Sequence, residues 1–140
     1  MSKKLTDRQA DQDAQRILQQ ARDSGRLELV KRKLILPSGE FADALGVSRE
    51  DLNKKVAAHR LFAMELDGEN YYPAFYLELD VDRKKLERVS QALGDISGWR
   101  KWQFFTTPKG SLGDKTPLQA LKDKDSLETL VTSALGFAER

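Results

Sequence analysis

Phe41-Ala42-Asp43-Ala44-Leu45-Gly46-Val47-Ser48-Arg49-Glu50-Asp51-Leu52-Asn53 reads as two short helices joined by a tight turn, the sequence form of a helix-turn-helix. A small Ala42 lets the two helices approach, and Gly46, four residues on, supplies the positive φ that the turn requires. Leu45, Val47 and Leu52 offer the apolar faces that hold the pair at a fixed angle. Ser48 is placed to cap the second helix by accepting a hydrogen bond from a backbone N–H about three residues on. That second helix carries Arg49, Asn53 and Lys54, side chains of the types that reach base edges or phosphates in a major groove. An A-x3-G with flanking aliphatics also builds ordinary helical corners, so the pattern alone leaves both readings open.

The residues after the motif bear on that choice. Leu61-Phe62-Ala63-Met64-Glu65-Leu66 leads into Asp67-Gly68-Glu69-Asn70 and then Tyr71-Tyr72-Pro73-Ala74-Phe75-Tyr76. Asp-Gly between two short aromatic and aliphatic runs predicts a β-hairpin. A helix-turn-helix with a hairpin directly after it is the layout of a winged helix, although the hairpin can equally close a small core.

The chain of 140 residues has the length for one domain or two very small ones. It holds no cysteine, which excludes disulfides, thiolate metal sites and a cysteine nucleophile. No apolar run approaches the ~18 residues of a membrane span, so no membrane association is expected. Met1-Ser2-Lys3-Lys4 opens a polar segment unlike a signal peptide, and a cytoplasmic location is expected. Net charge is only +2. Residues 1–66 carry 13 Lys/Arg against 10 Asp/Glu, or +3, and residues 67–140 carry 11 against 12, or −1. Lys31-Arg32-Lys33, Lys54-Lys55 and Arg60 concentrate the positive charge near the motif in sequence, though each is also an ordinary solvated face. With so little net charge, DNA binding would call for a dimer to double the phosphate contacts and would weaken steeply with salt.

Elsewhere the chain is predicted to be mostly helical. Thr6-Asp7-Arg8-Gln9 is a capping box, expected to open a helix that stops at Gly25. Ala10, Ala14, Ile17, Leu18 and Ala21 give it a weakly apolar stripe, suited to a peripheral or dimer-contacting helix. Leu27, Leu29, Val30, Leu34, Ile35 and Leu36 predict a further short helix beneath the motif, whose first helix then starts at Pro37-Ser38. Beyond the hairpin, a helix capped near Asp82 and ended by Gly94 buries Leu86, Val89 and Leu93. Gly98-Trp99-Arg100-Lys101-Trp102-Gln103-Phe104-Phe105 comes next as an aromatic helix ended by Thr107-Pro108. Thr116-Pro117-Leu118-Gln119 combines a capping box with proline at the first helical position. Asp125-Ser126-Leu127-Glu128 opens a last helix with Leu127, Leu130, Val131, Ala134, Leu135 and Ala138 on one stripe. The expected architecture is mainly α: an N-terminal peripheral helix over 1–25, a winged-helix-like helix-turn-helix with a short hairpin over 26–80, and a small helical module over 81–140.

Catalytic chemistry is hard to assemble from these residues. His59 is the one histidine, so a histidine-rich metal site is excluded and a Ser-His-Asp arrangement would rest on it alone. Gly110-Ser111-Leu112-Gly113-Asp114-Lys115-Thr116 fails the phosphate-loop pattern, since two residues and not four separate the glycines and Asp114 precedes the lysine. The pairs Asp80/Asp82 and Asp123/Asp125 sit at helix starts, where capping accounts for them. The chain is therefore expected to be no enzyme and to need neither cofactor nor metal.

The order of these elements resembles bacterial antitoxins of the Xre/MbcA/ParS group, over roughly residues 34–137. The resemblance rests on Leu45-Gly46-Val47-Ser48, on Leu61-Phe62 with Gly68 and Tyr72-Pro73-Ala74-Phe75 after it, and on a C-terminal block. That block comprises Trp102, Phe104-Phe105, Pro108 and Leu112-Gly113-Asp114-Lys115-Thr116-Pro117-Leu118-Gln119-Ala120-Leu121, and looks like the group's toxin-binding element. Here Gly113 comes directly after Leu112, a small departure in loop spacing. The resemblance implies a partner toxin acting on NAD, often of the RES type, bound through the C-terminal module, with autorepression through the helix-turn-helix. It makes Ser48, Arg49, Asn53, Lys54 and Arg60 the DNA-binding candidates. Within Thr116–Arg140, Leu118, Leu121, Leu130, Phe137 and Arg140 become the toxin-facing candidates. A homodimer bound to double-stranded DNA is expected. The alternatives are a stand-alone helix-turn-helix regulator, or an orphan interaction module without a toxin.

Overall fold

A computed structural model describes the backbone of residues 2–123 and 126–140, with side chains from residue 9 onward in that range. Two units form, Met1–Leu34 and Ile35–Arg140.

The first unit is one helix, α1 (Ser2–Lys31). It begins before the expected capping box, whose Thr6–Arg8 side chains lie outside the described residues. It also passes through Gly25. A lone glycine costs a helix interior only about 1 kcal/mol relative to alanine, too little to end it against continuing backbone hydrogen bonds. Exposed side-chain pairs four apart add support, Gln9 to Asp13 at 3.3 Å and Gln19 to Asp23 at 2.9 Å. The stop comes at Lys33, at φ 57°. There the Lys33 N–H donates to Val30 O and the Leu34 N–H to Leu29 O, the paired bonds that close a helix end through a left-handed residue. The separate helix expected over Leu27–Leu36 is therefore corrected: Leu27–Lys31 belong to α1, and Ile35–Leu36 to a strand.

The second unit is mainly helical with a small antiparallel sheet. Its order is β1 (Ile35–Pro37), α2 (Ser38–Leu45), α3 (Arg49–Ala57), β2 (Met64–Leu66) and β3 (Glu69–Pro73). Then come α4 (Arg83–Leu93), α5 (Gly98–Thr106), α6 (Pro117–Ala120) and α7 (Leu127–Ala138), with 3-10 turns at Ala74–Leu77 and Gly110–Leu112. The sheet order is β1-β3-β2. Ile35 lies opposite Pro73 and Pro37 opposite Tyr71, while Met64 also faces Tyr71 from the other side. Long-range pairing with Tyr71–Pro73 thus claims Ile35 and Leu36, which hydrophobicity alone assigns to a helix. Asp67 and Gly68, at φ 53° and 78°, form the two-residue turn that matches strand twist.

One core runs through this unit on both sides of residue 80. Phe41 stacks on Tyr72 at 5.2 Å and seats α2 on β3. Phe62 stacks on Phe105 at 5.9 Å and Phe75 on Trp102 at 5.6 Å, joining the hairpin region to α5. Leu86, Val89 and Leu93 of α4 are fully buried, as their spacing predicts. Asp82 caps α4 by accepting from the N–H groups of Lys84 and Lys85. Asp80 does not cap: it pairs with Lys122 at 3.0 Å, whose hydrogen bond holds its carboxyl below the usual carboxylate range. Asp123 likewise pairs with Lys115 at 3.1 Å. The expected Asp125 start of the last helix lies outside the described residues. Among the described residues no helix is long and apolar enough to cross a membrane.

His59 has a structural task that its type does not announce. It comes after α3 at φ 59°, with its N–H donating to Val56 O and the Arg60 N–H to Lys55 O. A left-handed residue at this point ends the helix, and glycine does so without the Cβ penalty. His59→Gly is expected to stabilise the protein by about 1 kcal/mol, read as a higher urea midpoint with unchanged slope. A lower midpoint would mean that the imidazole holds contacts worth more than the backbone strain.

Candidate nucleic-acid interface

Local chemistry positions α3. Gly46, at φ 79°, ends α2, its N–H donating to Ala42 O and Asp43 O, with the Val47 N–H also returning to Ala42 O. Ser48 then caps α3, its Oγ accepting from the Asp51 N–H at 3.1 Å. Leu52, 1% exposed, anchors the inner face. At the far end the Tyr76 hydroxyl donates to Arg60 O at 2.9 Å, which fixes the chain where it leaves the helix.

Arg49 and Asn53, four residues apart, share one exposed stripe of α3. That stripe borders an open cleft of about 610 Å³ lined by Pro37, Ser38, Gly39, Glu40, Leu52, Glu69, Asn70 and Tyr72 as well. The cleft thus runs from the start of α2, along α3, to the hairpin. The Arg49 guanidinium leans over Gly39, where an added Cβ would lie 3.0 Å from a terminal nitrogen. Arg49 also bears on Tyr72: burial raises that phenol's pKa, and the guanidinium charge partly offsets the rise. Glu50 and Lys54 form the neighbouring stripe, paired at 3.7 Å and both exposed. Exposed pairs of this kind are worth under about 1 kcal/mol and are screened by salt, so Lys54 is readily released to another partner. Lys55, by contrast, is committed to Glu87 of α4 at 3.8 Å with both side chains largely covered.

The five sequence-predicted residues are therefore distributed unevenly. Arg49 and Asn53 line the cleft, Ser48 is spent on the cap, Lys54 lies on the adjoining stripe, and Arg60 is exposed beyond the helix end. Sequence reading misses Ser38, Asn70 and Tyr72, because their place beside α3 depends on β1 pairing with β3. Glu40 and Glu69 set two carboxylates against the Arg49 guanidinium in the cleft lining, so its charge by itself does not favour a phosphate backbone. His59 is half-buried and engaged as the helix terminator.

The C-terminal candidates separate in the same way. Leu121 and Leu130, 3% and 0% exposed, face the unit's own core and are closed to anything docking on the folded surface. Leu118 is half-buried at the start of α6, where Thr116 and Gln119 form the predicted reciprocal cap at 2.9 and 3.0 Å. Phe137 is half-buried: its ring meets Phe104 at 5.3 Å, with Arg100 at 5.2 Å and Lys109 at 4.8 Å from its centroid. Burial, and then the charge of Arg140, hold Lys109 below the ordinary lysine pKa. Arg140 is exposed and borders an open concavity of about 560 Å³ with Ser111, Glu128, Thr129, Thr132, Ser133 and Gly136. Leu135, expected on the buried stripe, is 50% exposed. Among the described residues no group of three or more His, Asp or Glu side chains is placed to hold a metal ion.

Compared with known proteins, the chain matches no family model, no curated protein and no solved structure.

Proposed function

We propose that this chain is a DNA-binding antitoxin, acting as a homodimer that represses its own operon through α3 and neutralises a partner toxin through its C-terminal helices. The observation that carries the DNA half is the Ser48-capped α3, which presents Arg49 and Asn53 along an open cleft between the start of α2 and the hairpin. The strand, two helices and hairpin succeed one another in the order of a winged helix. Arginine and asparagine on one helical face are the side chains that pair with guanine and adenine edges. The toxin half is supported by the order of sequence elements from Trp102 to Leu121 and by the open concavity along α7 that Arg140 borders. A RES-like toxin is the partner this resemblance implies.

A second reading, a stand-alone regulator without a toxin, is favoured by one observation: three of the five toxin-facing candidates are occupied internally. Leu121 and Leu130 are buried, and Phe137 is held between Phe104, Arg100 and Lys109.

Of two measurements, the first tests the DNA binding that both readings share, and the second separates them. Arg49→Ala with Lys54→Ala is expected to weaken binding to the upstream duplex at least ~10-fold at moderate salt, since each good base or phosphate contact is worth about 1–3 kcal/mol. Unchanged affinity would remove α3 from the groove. Co-expression with the neighbouring gene product should yield a complex and relieve toxicity. DNA binding without either outcome would favour the stand-alone regulator.

A further inference from the structure

The apolar face of α1 carries a second assignment. Ile17 and Leu18 are 65% and 63% exposed, adjacent large aliphatics at the middle of a long helix. At 100° per residue, Ala10, Ala14, Ala21 and Gly25 lie within a narrow strip, with Ile17 on one flank and Leu18 on the other. The strip is small along its centre and bulky at both margins near its midpoint. Two such helices can approach closely, each closing its margins over the other.

We propose that α1 pairs antiparallel with α1 of a second copy of this chain, about a two-fold axis between Ile17 and Leu18. The proposal specifies the second copy that the DNA-binding reading calls for, but it rests on α1 alone. In this register Ala14 of one copy lies over Ala21 of the other. Ile17 meets Ile17 on one margin, and Leu18 meets Leu18 on the opposite one.

Charge selects the direction. Asp11 and Arg22 both fall on the Leu18 margin, the acid toward the N-terminal end and the base toward the C-terminal end. An antiparallel partner brings Asp11 of one copy within one helical turn of Arg22 of the other, twice by symmetry. A parallel pair would instead set Asp11 beside Asp13 of the second copy, placing like charges together. The antiparallel arrangement is the one in which apolar strip and charges agree.

The chain's lack of cysteine makes the register directly readable. Ala14→Cys and Ala21→Cys variants of the full chain, mixed and oxidised, are expected to form the mixed disulfide and little of either homodisulfide. In the proposed register two Ala14 positions are about 10 Å apart along the axis, beyond disulfide reach. Homodisulfides at both positions would overturn the direction. A monomer by sedimentation across a concentration series, or equal random cross-linking, would overturn the pairing. Asp11→Arg should weaken the dimer at least fivefold, and adding Arg22→Asp should restore it. No rescue would reject the charge contact. None of these readouts involves DNA or a toxin, so a wrong functional reading leaves them unmoved.

Discussion

Gly98→Ala is expected to destabilise the protein by about 3 kcal/mol or more, since a Cβ there meets closer neighbours than at the other described glycines. Gly98 is the first residue of α5, and Ser97 caps that helix by accepting from the Arg100 N–H. The helix start lies directly against the strand that opens the hairpin. A Cβ at Gly98 would sit 1.8 Å from Ala63 O, 2.7 Å from Ala63 C and 3.3 Å from Met64 Cα. These are backbone atoms, so no rotamer change relieves the overlap. Moving α5 away would break the Trp99 Nε1–H donation to Glu65 O at 2.9 Å and loosen Phe105 from Phe62. Equilibrium urea unfolding of the purified variant measures the effect. A loss below about 1 kcal/mol would mean that α5 slides freely on β2 and that the close approach is not structural.

Lys101→Met should act in the opposite direction. Lys101 lies in α5 only 3% exposed, with its ammonium donating to Ser90 O at 3.3 Å and lying 6.0 Å from the Phe62 ring. Burial pushes its pKa down to about 8, with the charge of Asp95 acting the other way. In the unfolded chain the amine titrates near its ordinary value of about 10.4. Below pH 8 both states are protonated and folding carries the full cost of burying the charge. Between about pH 8 and 10 the unfolded state binds more protons, so stability rises with pH. The shift sets a ceiling of about 3 kcal/mol on that cost, and replacing the amine by a thioether of similar length should recover about 1–3 kcal/mol at pH 7. The variant should also lose the rise between pH 8 and 9.5. Urea midpoints at several pH values check both points. A destabilised variant that keeps the wild-type pH profile would show that the amine is paired better than its surroundings indicate.

Local signals in the sequence are legible where local chemistry decides the structure. The Gly46 turn, the Ser48 cap, the Asp67-Gly68 hairpin turn, the Asp82 cap and the Thr116 capping box each involve residues within a few positions of one another. Periodicity also identifies Leu86, Val89 and Leu93. The failures come from longer range. Ile35 and Leu36 look helical beside Leu27–Leu34 until β3, some 35 residues on, supplies a strand partner. Gly25 looks like a stop because glycine often is one, but the chain offers Lys33 as the terminator. Leu121, Leu130 and Phe137 become candidates through a resemblance and through apolar type. Neither distinguishes a docking face from a core, and packing places the two leucines inward. Of the cleft beside α3, Arg49 and Asn53 are legible from the motif. Ser38, Asn70 and Tyr72 are not, because the sheet brings them there.

Whether α3 reads duplex DNA is decided by competition binding. The full chain is titrated onto a labelled duplex from upstream of its own gene, then challenged with unlabelled upstream or shuffled duplex at two salt concentrations. Base recognition by α3 predicts that the upstream competitor displaces the label at least ~100-fold more effectively than the shuffled one. It also predicts that affinity falls as salt rises, as phosphate contacts require. Equal displacement by both competitors, or no binding at low salt, would contradict it.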